Sequence, residues 1–518
     1  MKSNSRRTFL ADVGKGMLVG SLGSSLALDL GLSSAFAEEE SPKLTFGDME
    51  PLVSAMQQTP LNKLQAMLVK ELKSGTDLQT LVSAAALANA RSFGGQDYTG
   101  FHTFMALAPA YEMSHQLPTD LKPLPVLKVL YRNTTRIQET DSHNNEVLHP
   151  VQPATLPQGS PGGPLLQAAT RSADYDKAEQ TFAAMAKGPV GEAFNHLQWA
   201  IQDELNVHRV VLSWRAWAML DLVGQEQAHT LLRQSVRFCV KSEKGCIEAN
   251  RQPSRIRTVL PKLLDQYKLV GKPLGTRKAD DAWVEALATT IVRSDAEQAA
   301  DAAAAALAEG FAPDVIGEAI SLASNALVLQ DPGRTKPRPG KPIGSVHGDS
   351  VGVHASDSAN AWRNIARVSN QRNAVASMIV GAYHTATGRY NSKLNESPYP
   401  LAEQLEAVTS KDPRKLLDEA DAAIREKDQF RAAAVIHRYG QLGHAARPAF
   451  DLMLGYATSQ DGALHAEKYY RTVSEEYRTT REAFRWRQMV ALARVTASEA
   501  GNPSPGYAEA CGLLNVST

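Results

Sequence analysis

The sequence predicts an all-α protein, a multi-helix array of packed helix pairs. Three observations predict it. Alanine is abundant and β-branched residues rarely alternate with polar ones, so the period-two signature of a half-buried strand is almost missing. Apolar residues recur instead at helical spacing: within 280–329, Trp283, Ala286, Leu287, Ile291 and Val292 repeat along one helix face. Breakers stand where helices must stop. Gly310 with Pro313 ends one helix and starts the next, and Asp314 puts a carboxylate in the first turn, where the helix dipole favours it.

In chain order, similar periodicity predicts helices over 60–73, 76–91, 101–116, 174–187, 190–222, 225–243, 357–385, 412–440, 444–457, 461–479 and 482–498. With those of 280–329 and shorter pieces this makes roughly eighteen helices. Two segments break the rhythm. One runs from Thr140 through His143 and His149 to Pro164; the other runs from Asp331 to Val353 and is rich in Pro, Gly and Lys. Stretches of more than about twenty residues without regular structure are uncommon in compact domains unless they bind or cover something. Each reads either as a lid or site lining, or as a linker; the second would join halves 38–330 and 345–518.

The N-terminus reads SNSRRTFLADVGKGMLVGSLGSSLALDLGLSSAFAEEE. Arg6 and Arg7, with Ser5 before them and Phe9 and Leu10 after, resemble the twin-arginine export signal. The apolar stretch that follows carries Lys15 and Asp29 and is too polar and short for a stable membrane span. Ala35-Phe36-Ala37 resembles a signal-peptidase site, which implies cleavage after Ala37 and an all-helical mature domain, 38–518. The resemblance implies the twin-arginine translocase as a partner and a periplasmic or extracellular destination. Proteins on this route cross the membrane folded, many with a cofactor already in place.

Removing 1–37 takes four cations (Lys2, Arg6, Arg7, Lys15) and two anions (Asp12, Asp29), so the net charge of +0 becomes −2. That argues against nucleic acid, which asks for a basic stripe. No later stretch is apolar enough to span a bilayer. Cys239, Cys246 and Cys511 form an odd set. Cys239 and Cys246 can pair if the chain between them turns back; otherwise all three are buried or unpaired thiols. No CxxC, G-x-S-x-G, His-Glu-x-x-His, Walker lysine or strand-linked G-x-G-x-x-G is present, so the common zinc, hydrolase and nucleotide signatures are missing.

Histidines carry the chemistry that remains. His102, His208, His354 and His444 each stand near the start of an apolar helix or at a break. The pattern fits a degenerate repeat of helix pairs, or four unrelated helix-entry histidines. The dipole at a helix N-terminus favours neutral imidazole, which can ligate a metal or accept a proton. On a continuous helix His196, Ala200, Glu204 and His208 would share a face, so Glu204 and His208 are candidate metal ligands; the alternative is a salt-linked polar face. In DGALHAEKYYRTV, Asp461, His465, Lys468 and Arg471 share a predicted face. Asp461 would orient His465, while Lys468 and Arg471 would hold an anionic oxygen or a nicotinamide phosphate, or stabilise an enolate; the alternative is an exposed helix of ion pairs.

The segment SVHGDSVGVHASDSANAW, Ser345 to Trp362, adds His347, Asp349 and His354. Gly344, Gly348 and Gly352 free the backbone to turn. Ser356 or Asp357 is expected to cap the next helix, leaving His354 just outside it and facing a pocket.

Three pieces, GFHTFMALAPAYEM, HRVVLSWRAWAMLDLVGQEQAHTLLRQSV and DGALHAEKYYRTV, together resemble the questin oxidase-like proteins. The family's His-Pro step is absent, since Asn206-Val207 precede His208. The resemblance covers about a third of the chain. It implies an all-helical, oxygenase-like oxidoreductase acting on a small carbonyl or aromatic compound, with His102, His208 and His465 at the site. His354 and Lys468 join them as catalytic candidates from the residues themselves. Metal, haem and nicotinamide all remain open as cofactors. The other class that fits is a non-catalytic helical-repeat scaffold of the cell envelope, whose concave surface would bind a partner.

Overall fold

The computed structural model describes residues 42–339, 341–346, 350–390 and 394–517. Arg6, Arg7 and the cleavage point after Ala37 lie outside these residues, as do His347, Gly348 and Asp349. The architecture is all-α: helices follow one another along the chain, and the only β pairings among the described residues are three isolated bridges. Phe46–Thr518 form one compact unit. The helix Pro313–Leu329 packs closely on Val351–Val368 across the 331–350 segment, so both sides of that segment share one core.

Several long predicted helices are pairs. The 190–222 region divides at Gln202–Asn206 into Val190–Ile201 and Val207–Ala218. The 412–440 region divides into Pro413–Arg425 and Gln429–Gln441, and 357–385 becomes parts of Val351–Val368 and Gln371–Tyr390. Each break carries a polar cap that apolar periodicity alone does not weigh: Asn206, Asn370 and Asp428 accept hydrogen bonds from first-turn amides. Pro123–Glu139, absent from the sequence reading, is a helix with proline in its first turn.

Four helices build the site: α1 (Tyr98–Ser114), α2 (Val207–Ala218), α3 (Val351–Val368) and α4 (His465–Thr479). They pack in a ring, α1 on α2, α2 on α3, α3 on α4 and α4 on α1. A buried ion pair ties α3 to α4: Arg363 donates to Glu476 Oε2 at 2.7 Å, and Asn360 donates to Glu476 Oε1 at 2.8 Å. Gly352 serves the packing of α3 on the helix Pro313–Leu329 rather than a turn. It lies inside α3, and a Cβ there would stand 2.6 Å from the Val328 backbone nitrogen. The turning is done by Gly344, at φ +83°.

The 331–346 stretch doubles back on itself. Gly344 N–H donates to Arg334 O at 2.8 Å and Arg334 N–H to Ser345 O at 3.2 Å. The buried Arg494 holds its root, donating to Val328 O at 2.6 Å and to Asp331 O at 2.5 Å. The other interruption, 140–161, is held by the Val147 and Leu148 amides donating to Arg91 O. Cys239 and Cys246 sit on one continuous helix, Ala228–Glu248, so the chain does not turn back between them; all three cysteines are free. Among the described residues no helix is long and apolar enough to cross a membrane.

Candidate functional site

The ring of α1–α4 brings four helix N-termini together, and each carries a histidine near its start: His102, His208, His354 and His465. Side-chain caps fix three of these ends. Asp97 accepts from Gly100 N at 2.7 Å, Asn206 from His208 N at 2.9 Å and Ser350 from Val353 N at 3.3 Å. Asp97 is itself clamped by Arg136 at 2.8 and 2.7 Å. The fourth end is set differently. Ala463 (φ 48°) and Leu464 (φ 65°) both adopt the left-handed conformation immediately before His465, a cost that L-residues carry only where surrounding structure enforces it.

The four imidazoles form a closed ring of neighbours. Centroid separations are 4.7 Å for His102–His208, 5.7 Å for His208–His354, 5.5 Å for His354–His465 and 5.2 Å for His465–His102. The Nε2 atoms of His102 and His208 stand 3.2 Å apart. His102 Nδ1 lies 2.7 Å from Tyr98 O, which assigns the proton to Nδ1 and leaves the Nε2 lone pair facing the cluster. His465 is 6% exposed, and neither of its ring nitrogens has a hydrogen-bond partner. Buried polar atoms in that condition cost roughly 1–3 kcal/mol each unless something satisfies them.

Burial holds three of these imidazoles, those of His102, His208 and His465, neutral. Desolvation, then the charge of Lys468, pushes His208 down to about 3 and His102 and His465 well below the ordinary range. Lys468, one turn beyond His465 on α4, is 2% exposed. Its burial lowers the ammonium to about 8, against the pull of Asp357 and Glu467. Asp357 is 4% exposed and accepts from Thr472 Oγ1 at 2.8 Å; burial raises its carboxyl, against the attraction of Lys468, Thr472 and Arg215. Buried Arg215 is lowered by desolvation and by Arg471. One side of the cluster meets the surface: Tyr98, 58% exposed, packs 4.4 Å from His102 and 5.6 Å from His208.

All five catalytic candidates, His102, His208, His354, His465 and Lys468, thus meet at one place, from segments scattered over most of the chain. Four expectations need correction. Glu204 and His208 do not share a continuous helix: Glu204 falls in the 202–206 break, where it accepts from Ser254 N at 3.0 Å and pairs with Arg257 at 3.3 Å. Asp461 lies before α4, not on it, and does not orient His465; Arg132 stands 3.8 Å from it. Ser356 and Asp357 are not caps. The helix starts five residues earlier behind Ser350, so His354 is in its first turn and Asp357 faces inward. His444 does not join the ring; its Nε2 is 3.2 Å from Lys411 O and its ring packs on Tyr439. Asp357 and Arg215 were missed as site residues because nothing local marks a mid-helix acid or arginine as buried.

As the side chains stand, no three His, Cys, Asp or Glu among the described residues form a set already arranged around a metal ion. No family model, curated protein or solved structure matches the chain.

Proposed function

We propose that the four-histidine ring is the active site of an exported, metal-dependent oxidoreductase, oxygenase-like, acting on a small organic carbonyl or aromatic compound. The observation that carries this reading is the ring itself: four imidazoles from four helices, with both nitrogens of buried His465 left without partners. The fit to a single ion is supported by two details. The His102–His208 Nε2 separation of 3.2 Å is close to the roughly 3 Å between two nitrogens bound at right angles to one ion at about 2.1 Å. The Nδ1 contact of His102 with a backbone carbonyl is the outer-shell bond that metal-binding histidines usually make. Rings this close leave no slot for a porphyrin between them, which favours an ion over haem.

His102, His208, His354 and His465 would hold the ion; when bound it would supply redox chemistry toward dioxygen and the organic substrate. The chain supplies the rest. Four helix N-termini and Lys468 make the site electropositive, which suits an enolate or phenolate oxygen. Lys468, held near 8, is matched to exchange a proton with an acidic enol or phenol at neutral pH. Asp357 keeps that ammonium in place and balances its charge. Tyr98 and the half-buried His208 and His354 form the side from which an organic molecule would approach.

The test is to purify residues 38–518, measure metal content, and follow dioxygen uptake with a panel of phenols and 1,3-diketones. About one redox-active ion per chain, lost in His208→Ala and His465→Ala, is expected. A metal-free protein that consumes no dioxygen would favour the scaffold class instead. Export is part of the proposal: Arg6→Lys with Arg7→Lys should strand the precursor in the cytoplasm, and normal export of that variant would refute the translocase assignment.

A further inference from the structure

A narrow slot of about 20 Å³ lies between α4, the helix Arg485–Glu499 and the end of the helix Ala446–Ser459. Ala457, Ala466, Leu492 and Val495 supply mostly apolar walls, Gln460, Thr496 and Glu499 stand at its margins, and His465 closes one part of it. Among the described residues, neither the other three histidines of the ring nor Tyr98 lines this slot. The slot thus touches the cluster at one imidazole, the one whose two buried nitrogens are unpartnered.

Size and lining decide what such a space can take. A volume of this order admits one water-sized particle, and a space whose walls are mostly apolar takes up xenon or other apolar guests readily. An organic ring is far too large. What fits is a diatomic or monatomic apolar gas. The walls come from three helices that contribute to the core, with Leu492 and Tyr469 buried and Ala466 half-buried at the rim.

We propose that this slot is the binding site and route for dioxygen on its way to His465, separate from the approach of the organic substrate past Tyr98. The proposal rests on the oxidoreductase reading for the identity of the gas. Separate routes would let dioxygen reach the centre while the organic substrate occupies the Tyr98 side.

Xenon is the probe. Crystals of wild type pressurised with xenon should show an atom between Ala466 and Leu492, and Ala466→Leu, which fills the rim, should exclude it. The same variant should raise the KM for dioxygen at least fivefold while leaving the KM for the organic substrate and kcat at saturating dioxygen unchanged. Val495→Phe, which fills the wall from the other helix, should repeat the pattern if Ala466→Leu folds poorly. Absence of xenon from the wild-type slot, or an unchanged KM for dioxygen in a folded variant that excludes xenon, overturns the route even where dioxygen is consumed. Xenon in the slot of a wild-type protein that consumes no dioxygen overturns the gas assignment together with the oxidoreductase reading.

Discussion

His102 and His208, 106 positions apart in the chain, face each other with their Nε2 atoms 3.2 Å apart. Two neutral imidazoles at that distance share one proton in a hydrogen bond or share a ligand. The Nδ1 proton of His102 is directed at Tyr98 O, so its Nε2 can only accept. The pair thus sets the polarity of the ring: His102 offers a lone pair toward the centre, and His208 either donates to it or turns its own lone pair beside it.

Asp357 and Lys468 are buried opposite charges within one another's field. Asp357→Asn keeps the shape and the Thr472 contact but leaves the ammonium without its counter-charge. Stability should fall by at least about 2 kcal/mol, read as a lower denaturation midpoint. Adding Lys468→Met removes the stranded charge and should restore much of the loss. If the double variant is no more stable than Asp357→Asn, the two charges are not coupled.

His229 and His384 lie outside the ring and are each lowered to about 4, chiefly by burial. His384 Nδ1 also accepts from Trp362 Nε1 at 3.4 Å, which a proton there would break. Between pH 6.5 and 4 the unfolded chain binds protons at these positions and the folded chain does not, so stability is present above that window and falls as the pH drops through it. Each histidine contributes a slope of up to about 1.4 kcal/mol per pH unit. Melting temperatures measured from pH 7 to pH 4 should fall steeply, and His229→Gln with His384→Gln should flatten the curve. An unchanged slope in that variant would contradict the assignment.

Ala463 and Leu464 hold left-handed backbone immediately before His465. Ala463 is exposed, so Ala463→Gly removes little packing and relieves the conformational cost. An increase in stability of about 0.5–1 kcal/mol is expected, with a small loss of activity as His465 gains freedom. A destabilised Ala463→Gly would show that the turn is not strained.

The helical class was legible because apolar spacing repeats in segment after segment; His102, His208 and His354 were legible from their places at helix entries, and His465 from its spacing to Lys468. What escaped was register at the breaks. A reading of 190–222 as one helix put Glu204 beside His208, whereas Asn206 caps a new helix and turns Glu204 toward Arg257. The same error of a few residues made Asp357 a cap instead of a buried partner of Lys468. His444 and His465 look alike in sequence, each following glycines, and only long-range packing separates them. Convergence of four helix ends is a tertiary property, and no local spacing encodes it.

The most direct test of a shared four-histidine centre is X-ray absorption on metal-loaded protein comprising residues 38–518. At least three imidazole nitrogens at about 2.0–2.2 Å from the ion are expected, with the nitrogen count dropping by one in His102→Ala, His208→Ala and His465→Ala alike. An ion bound only by oxygen, or a nitrogen shell that is the same in all three variants, would contradict it.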